Sequence, residues 1–275
     1  MTVPNVLTIA GSDPSGGAGI QGDLKTFAAH RVNGLAVVTA LTAQNGAGVR
    51  DVLVVDPDFV ALQLQVLLDD IDIHAIKIGM LGNAGVARAV SAMLARFPHI
   101  PVVLDPVLRA SAGGALLDDD GLHVLRDELM PRATLVTPNL AEAGALLGIG
   151  APQGLADATA AAEAIVRAGA RAAVVTGGHL DDANTCADVL YDGVASHAFR
   201  TARVAGGGAH GTGCAYSSSV AASLALGVDL ATACERAQRF VADAVRASGE
   251  LRVGRGARSV HALGALWVSP DQITA

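Results

Sequence analysis

HAIKIGMLGNAGVARAVSAMLARFPHIPVVLDP, residues 74–106, decides the fold. An apolar run over 74–79 ends in glycine, small and apolar residues repeat at helical spacing over 84–97, and a second apolar run over 102–106 closes on Asp105-Pro106. Two short apolar runs joined by a helix predict parallel strands linked by a crossover. The same alternation continues on both sides. Downstream it predicts helices over 122–130, 140–147 and 157–168, with strands over 134–137 and 172–176. Upstream it predicts strands over 5–10 and 35–41 and a helix over 20–30. Asp56-Pro57 is a helix start, a capping acid followed by proline in the first turn, and Val60, Leu64, Leu67 and Leu68 carry that helix to 68. The class is therefore α/β, a central mostly parallel sheet with helices on both faces. Asp192-Gly193 between two strand-like runs breaks the pattern and predicts a small antiparallel edge hairpin. A strand-like run over 198–204 and helices over 215–226 and 230–247 follow. No repeat, linker or composition break divides the chain, so residues 1–275 are read as one domain.

Composition fits that class. Hydrophobic residues make up 51% and aromatics 3%, so the core is built from Ala, Val, Leu and Ile, which suits helices packed on a parallel sheet. The net charge is −7, with no basic cluster and no aromatic platform, which argues against a nucleic-acid partner. Cys186, Cys214 and Cys234 are far apart without a CxxC pair, as expected for a reducing cytoplasm rather than a zinc or disulfide framework. The start, MTVPNVLTIAGSDPSGG, does not have the pattern of a signal peptide, and no apolar run is long enough for a membrane span.

In an open α/β sheet, ligands bind beyond the carboxyl ends of the strands. The segments expected there are residues 11–19, Thr42-Ala43-Gln44-Asn45, Gly79-Met80-Leu81, Asp105-Pro106-Val107, Thr137-Pro138-Asn139 with Glu142, Thr176-Gly177-Gly178, and residues 206–214. The last, Gly206-Gly207-Gly208-Ala209-His210-Gly211-Thr212-Gly213-Cys214, runs into a small-residue helix. Free N–H groups and the helix dipole suit such a turn to a phosphate, although a glycine turn also serves close packing. Residues 17–22 and 206–211 both match GxGxxG, but neither is followed by the acid a nicotinamide site needs, and no glycine loop ends in Gly-Lys-Ser/Thr. Asp105, ending a strand, and Glu142, opening a helix, are placed to hold Mg²⁺. Their plainer roles are a turn residue and a helix N-terminal charge. Asp23, one turn into its helix, is placed either to reach a ligand amino group or to lie exposed. The Gln44 amide is suited to reading a donor–acceptor pair on a heterocycle. Met80 and Val107 offer apolar walls. For His210 and His261, structural and functional readings stand level.

Thr8-Ile9-Ala10-Gly11-Ser12-Asp13-Pro14-Ser15-Gly16-Gly17-Ala18-Gly19-Ile20-Gln21, Thr39-Ala40-Leu41-Thr42-Ala43-Gln44-Asn45, Lys77-Ile78-Gly79-Met80-Leu81-Gly82, Asp105-Pro106-Val107, Thr137-Pro138-Asn139-Leu140-Ala141-Glu142, Gly177-Gly178-His179 and Gly211-Thr212-Gly213-Cys214, in this order, closely resemble the hydroxymethylpyrimidine/phosphomethylpyrimidine kinases of thiamine biosynthesis. The resemblance implies a ribokinase-like fold, a homodimer, and transfer of the γ-phosphoryl group of ATP to 4-amino-5-hydroxymethyl-2-methylpyrimidine and then to its monophosphate. It implies that Gln44 reads the pyrimidine with Gly11, Ala18, Asp23, Met80 and Val107 around it. Asp105, Asn139, Glu142 and Thr176 fall on the ATP side, with Asp105 and Glu142 toward Mg²⁺. Gly211, Thr212, Gly213 and Cys214 form the anion hole. There Cys214 is either a thiolate base, its pKa lowered by the helix N-terminus, or a guide for the substrate hydroxyl. The chain departs from the family pattern at Ser111, Thr176 and Gln238, where lysines are common; Arg109, Arg239 and Arg258 are the candidate replacements. Two other readings share these residues: a kinase of pyridoxine-type alcohols, and a pyrimidine-binding sensor without catalysis.

Overall fold

The computed structural model describes residues 3–109, 113–178, 184–204, 208–251, 254–264 and 266–267. Gly206, Gly207, Ser111 and His179, singled out above, lie outside them. The strands are β1 (Asn5–Ser12), β2 (Asn33–Asn45), β3 (Gly48–Val54), β4 (Ala75–Ile78), β5 (Val102–Leu104), β6 (Leu135–Val136), β7 (Ala173–Val175), β8 (Thr185–Tyr191) and β9 (Ser196–Ala202). The helices are α1 (Gly19–Ala29), α2 (Pro57–Leu68), α3 (Ala84–Leu94), α4 (Asp119–Val124), α5 (Leu140–Leu147), α6 (Leu155–Arg167), α7 (Thr212–Ala225) and α8 (Leu230–Ala247).

One sheet runs β3-β2-β1-β4-β5-β6-β7-β8-β9. Strands β2, β1, β4, β5, β6 and β7 pair in parallel, while β3 pairs antiparallel with β2, β8 with β7 and β9 with β8. The parallel strands are buried on both faces, and alternate residues enter two different cores. Leu7, Ile9, Ile76, Ile78, Val102 and Leu104 pack with α2, α3, α4, α5 and α6, while Val6, Ala75 and Val103 pack with α1, α7 and α8. That is the period of two in a strand covered from both sides. The predicted starts and stops hold closely: Asp56 caps α2 by accepting the Asp58 N–H at 2.9 Å, and the Asp192-Gly193 turn joins β8 to β9.

Two features differ from expectation. Strand β3 was not foreseen, and β2 runs on through Asn45 because Ala40 to Asn45 pair with β3. The helix expected over 122–130 is instead α4 followed by a wide turn over Leu125–Leu129 and a tight one at Met130–Arg132.

Strand order reverses at β1, which has β2 on one side and β4 on the other. The crevice such a reversal opens lies at the strand carboxyl ends. Backbone ladders align those ends: Gly79 N–H donates to Ile9, Asp105 N–H to Ile78, Thr137 N–H to Leu104 and Thr176 N–H to Pro138. A final segment crosses the same edge. Ala257 N–H donates to the Gly46 carbonyl at 2.8 Å, His210 N–H to Arg258 at 2.7 Å, and Val260 N–H to His210 at 3.0 Å.

Candidate active site

Asp13 organises the loop after β1. Its Oδ1 accepts the Ser15 N–H at 2.9 Å and the Ser15 hydroxyl at 2.7 Å; its Oδ2 accepts the Ala18 N–H at 2.9 Å and faces His210 Nε2 at 2.8 Å. Burial opposes its charge, but the bonds from His210, Ser15 and Ala18 hold the carboxyl well below the usual range, so Asp13 is ionised. Helix α1 opens at Gly19 and α7 opens after Gly211, neither with a side-chain cap. Gly211 has φ +92°, and a methyl group there would overlap the Gly17 carbonyl. The two helix mouths are therefore in contact. Their unpaired N–H groups make one electropositive corner.

Beneath that corner, the face covered by α1 and α7 turns polar. Lys77 is fully buried on β4 and places Nζ 3.0 and 2.9 Å from the two carboxylate oxygens of Asp23 on α1. Thr8 Oγ1 donates to Asp23 at 2.6 Å and Ser218 Oγ donates to it at 2.8 Å. Burial alone would discharge Lys77, but Asp23, Cys214 and Asp105 hold its pKa above the ordinary lysine range. Asp23 therefore neither lies exposed nor has a carboxylate oxygen to spare for a ligand amino group; it sits 0% exposed under the site. Lys77 was given no role from sequence. The available signal was a lysine inside an apolar strand, Ala75-Ile76-Lys77-Ile78, where only a buried counter-charge makes it tolerable.

The surroundings of Cys214 weigh between its two roles. Burial, with the carboxylates Asp23 and Asp105 nearby, pushes its thiol up to about 12, against the pull of Lys77. That favours the protonated thiol near neutral pH, and with it the hydroxyl-guide role over the thiolate base.

Asp105 ends β5 and accepts the Ser217 hydroxyl of α7 at 3.1 Å. Asn139 and Glu142 form a reciprocal cap on α5: Glu142 N–H donates to Asn139 Oδ1 at 3.0 Å, and Asn139 N–H to Glu142 Oε2 at 2.9 Å. Glu142 thus stands at the helix N-terminus, as its plainer reading had it, and there completes a capping box. Glu142 also feels Asp105, since burial first and that carboxylate second push its pKa up to about 8. Burial raises Asp105 to about 6 even with Lys77 beside it. A buried Asp105 and a half-buried Glu142 that feels its charge are short of positive charge and fit a divalent cation that completes its shell with phosphate oxygens and water. Among the described residues no group of three or more His, Cys, Asp or Glu forms an all-protein metal cage.

Gln44, Gly11, Ala18, Met80 and Val107 are the residues expected around the pyrimidine. A side chain on Gly11 would meet Met80 Sδ at 3.0 Å, and Thr39 Oγ1 pins the Met80 carbonyl at 2.6 Å. Ala18 and Met80 are buried and Val107 is half-buried. Gln44 lies on the inward face of β2, 3.2 Å from Thr42 Oγ1 and 3.2 Å from His210 Nε2. His261, by contrast, packs edge-on to Trp267 at 4.4 Å. Of the replacement arginines, Arg239 pairs with Glu235 on the outside of α8.

Thr176 begins the turn after β7, and Asp188 braces that turn by accepting the Gly177 N–H at 2.9 Å. Burial raises Asp188 to about 6 against the bonds from Gly177 and Gln238. A carboxyl with a raised folded pKa binds more protons in the native state between its unfolded value near 4 and 6. Stability therefore falls as pH rises through that window, and the cost is complete above it. Asp188→Asn keeps the acceptor for Gly177. It is expected to raise the unfolding free energy at pH 7.5 by ~2–3 kcal/mol, with the gain vanishing below about pH 4. Urea melts of both proteins across pH check this, and a pH-independent difference contradicts it.

The phosphomethylpyrimidine kinase family profile matches residues 13–261. A hydroxymethylpyrimidine/phosphomethylpyrimidine kinase of Rhizobium meliloti is 42% identical over 95% of this chain and 97% of its own. The ADP complex of Bacillus subtilis pyridoxal kinase superposes with a TM-score of 0.87 at 32% identity, covering 97% of this chain and 100% of that one. The phosphomethylpyrimidine kinase of Clostridium difficile does so with 0.77 at 33% identity, covering 88% and 99%.

Proposed function

The chain belongs to the phosphomethylpyrimidine kinase family, and from that premise we propose how it acts. It is a phosphotransferase with a ribokinase-like fold. It moves the γ-phosphoryl group of ATP onto the hydroxymethyl group of 4-amino-5-hydroxymethyl-2-methylpyrimidine, and then phosphorylates the monophosphate, in thiamine biosynthesis. The observation that carries the reading is one sheet edge where an amide reader, Gln44, stands within two residues' reach of an uncapped helix mouth, through His210.

Gln44 pairs with the pyrimidine edge, while Gly11, Ala18, Met80 and Val107 wall the ring. The N–H groups of Gly211, Thr212, Gly213 and Cys214 face the transferring phosphoryl oxygens, where charge accumulates. Cys214, as a protonated thiol, orients the substrate hydroxyl, whose proton passes to the phosphoryl group. A loose transition state needs positioning and charge neutralisation more than a strong base. Asp105 and Glu142 would hold Mg²⁺, with Asn139 and Thr176 on the nucleotide side. Mg²⁺ would neutralise phosphate charge there.

The chain works as a single domain, and the cytoplasm suits its three cysteines, none of which forms a disulfide. Two copies pair through apolar surface: the outward Leu41–Leu53 pair of the β2–β3 hairpin and Phe59, Leu62 and Val66 on α2, each at least half exposed. Purified protein with ATP, Mg²⁺ and the hydroxymethylpyrimidine is expected to yield ADP with mono- and diphosphate products, and to sediment as a dimer. Measurable pyrimidine binding without ADP from any pyrimidine or pyridoxine alcohol would sink the kinase reading; a monomer would remove the pairing.

A further inference from the structure

We propose that His210 is a positioning residue that fixes which way round Gln44 presents its amide, and so sets the order of donor and acceptor read on the pyrimidine edge. The proposal rests on Gln44 contacting that edge.

The two neighbours of the amide each have one role left. Asp13 is ionised and accepts only, and it lies 2.8 Å from His210 Nε2, so that nitrogen carries a proton. The Thr42 hydroxyl lies 2.9 Å from the Ser12 carbonyl, which also only accepts, so its proton points there and its lone pairs face Gln44. An NH₂ facing His210 and an oxygen facing Thr42 would then set donor against donor and acceptor against acceptor. Turning the amide over removes both conflicts: Oε1, at 3.2 Å, shares with Asp13 the one hydrogen of His210 Nε2 as a three-centre bond, and Nε2 of the amide donates to Thr42 Oγ1. One lone pair of Oε1 and one hydrogen of Nε2 remain for a ligand, in fixed order.

His210 itself is held still. Its backbone bonds Arg258 on one side and Val260 on the other, and its side chain is only 13% exposed. A 4-aminopyrimidine offers an exocyclic N–H to Oε1 and a ring nitrogen to Nε2–H. The 4-oxo analogue offers the reverse, a carbonyl oxygen and a ring N–H, and matches only the overturned amide. His210 therefore selects the amino compound through Gln44 without touching it.

The test compares kcat/KM for the 4-amino and 4-oxo hydroxymethylpyrimidines in the full-length protein. His210→Ala is expected to lower the amino-to-oxo ratio about tenfold, since a misoriented, half-buried amide is no longer penalised, with KM for ATP essentially unchanged. His210→Gln, which restores an N–H donor, is expected to recover the ratio. An equal loss for both substrates in His210→Ala overturns the proposal. Should that variant not fold, nitrogen-15 spectra of wild-type His210 decide: a protonated Nε2 supports it, and a neutral ring protonated only on Nδ1 overturns it. Gln44→Ala separates the underlying reading. If it leaves the pyrimidine KM unchanged, the assignment of Gln44 falls, whatever His210 does; the expected result is weakened pyrimidine binding with ATP binding retained.

Discussion

Lys77→Met is expected to lower the free energy of unfolding by about 3–5 kcal/mol, the usual cost of leaving one member of a buried ion pair uncompensated. Asp23 would keep only the Thr8 and Ser218 hydroxyls inside the core between the sheet and helices α1 and α7. Its carboxylate would either protonate or draw water into a face that now excludes it. The size of the loss reflects the stranded charge more than the worth of the pair, so Lys77→Met with Asp23→Leu is expected to recover most of the stability. Urea denaturation with a constant m-value measures both proteins. A single-variant loss under about 1 kcal/mol would mean that the pair is hydrated, and the account of Asp23 as a fully engaged support would fall with it. Activity of the double variant is informative too, because Lys77 offsets the negative charge of Asp105 and Asp23 beside Cys214.

Gly211→Ala is expected to lower kcat/KM at least about a hundredfold, the scale seen when one donor of a preorganised anion hole is displaced. Gly211 has φ +92°, and its Cα faces the Gly17 carbonyl so closely that a methyl group cannot fit. The mouth of α7 must move away from the mouth of α1, carrying Thr212, Gly213 and Cys214 with it. Gly208→Ala is the control: φ is +100°, but no atom lies within 4 Å of the added methyl group. It bears the backbone strain alone, about 1–2 kcal/mol, and its activity is expected to stay near wild type. Equal activity losses in the two variants would show that strain, not the contact between helix mouths, is responsible.

The alternation of buried strands and helices was legible because each parallel strand is short, apolar and followed by a helix with a recognisable start. Strand β3 was not, because Arg50 and Asp51 interrupt its apolar run and its partner, the Thr42–Asn45 stretch, reads as a polar loop until the two are paired. The segments of the site were legible for the same reason as the fold, since strand ends converge in any such sheet. The states of their charges were not. Asp23 reads as an exposed helical acid until Lys77 is placed opposite it, and the Cys214 thiol reads as activated by a helix mouth until two carboxylates are found beneath. Both depend on which alternate residues of β1 and β4 face α1 and α7, and that is a property of the sheet rather than of any local run. His210 stood undecided because the partner that gives it meaning, Asp13, is 197 residues away.

The crossing of the segment around Ala257 has a consequence for synthesis. On the ribosome, the loop holding Asp13 and the hairpin carrying Gln44 emerge early, yet the residues that bond Gly46 and hold both sides of His210 emerge only when the chain has been made past Val260. A nascent chain stalled before that point can form the sheet from local pairings but leaves the imidazole unheld and the hairpin tip unanchored. Catalytic competence is then expected to be acquired late, with fragments ending before this segment expected to bind the pyrimidine poorly even where their sheet is complete.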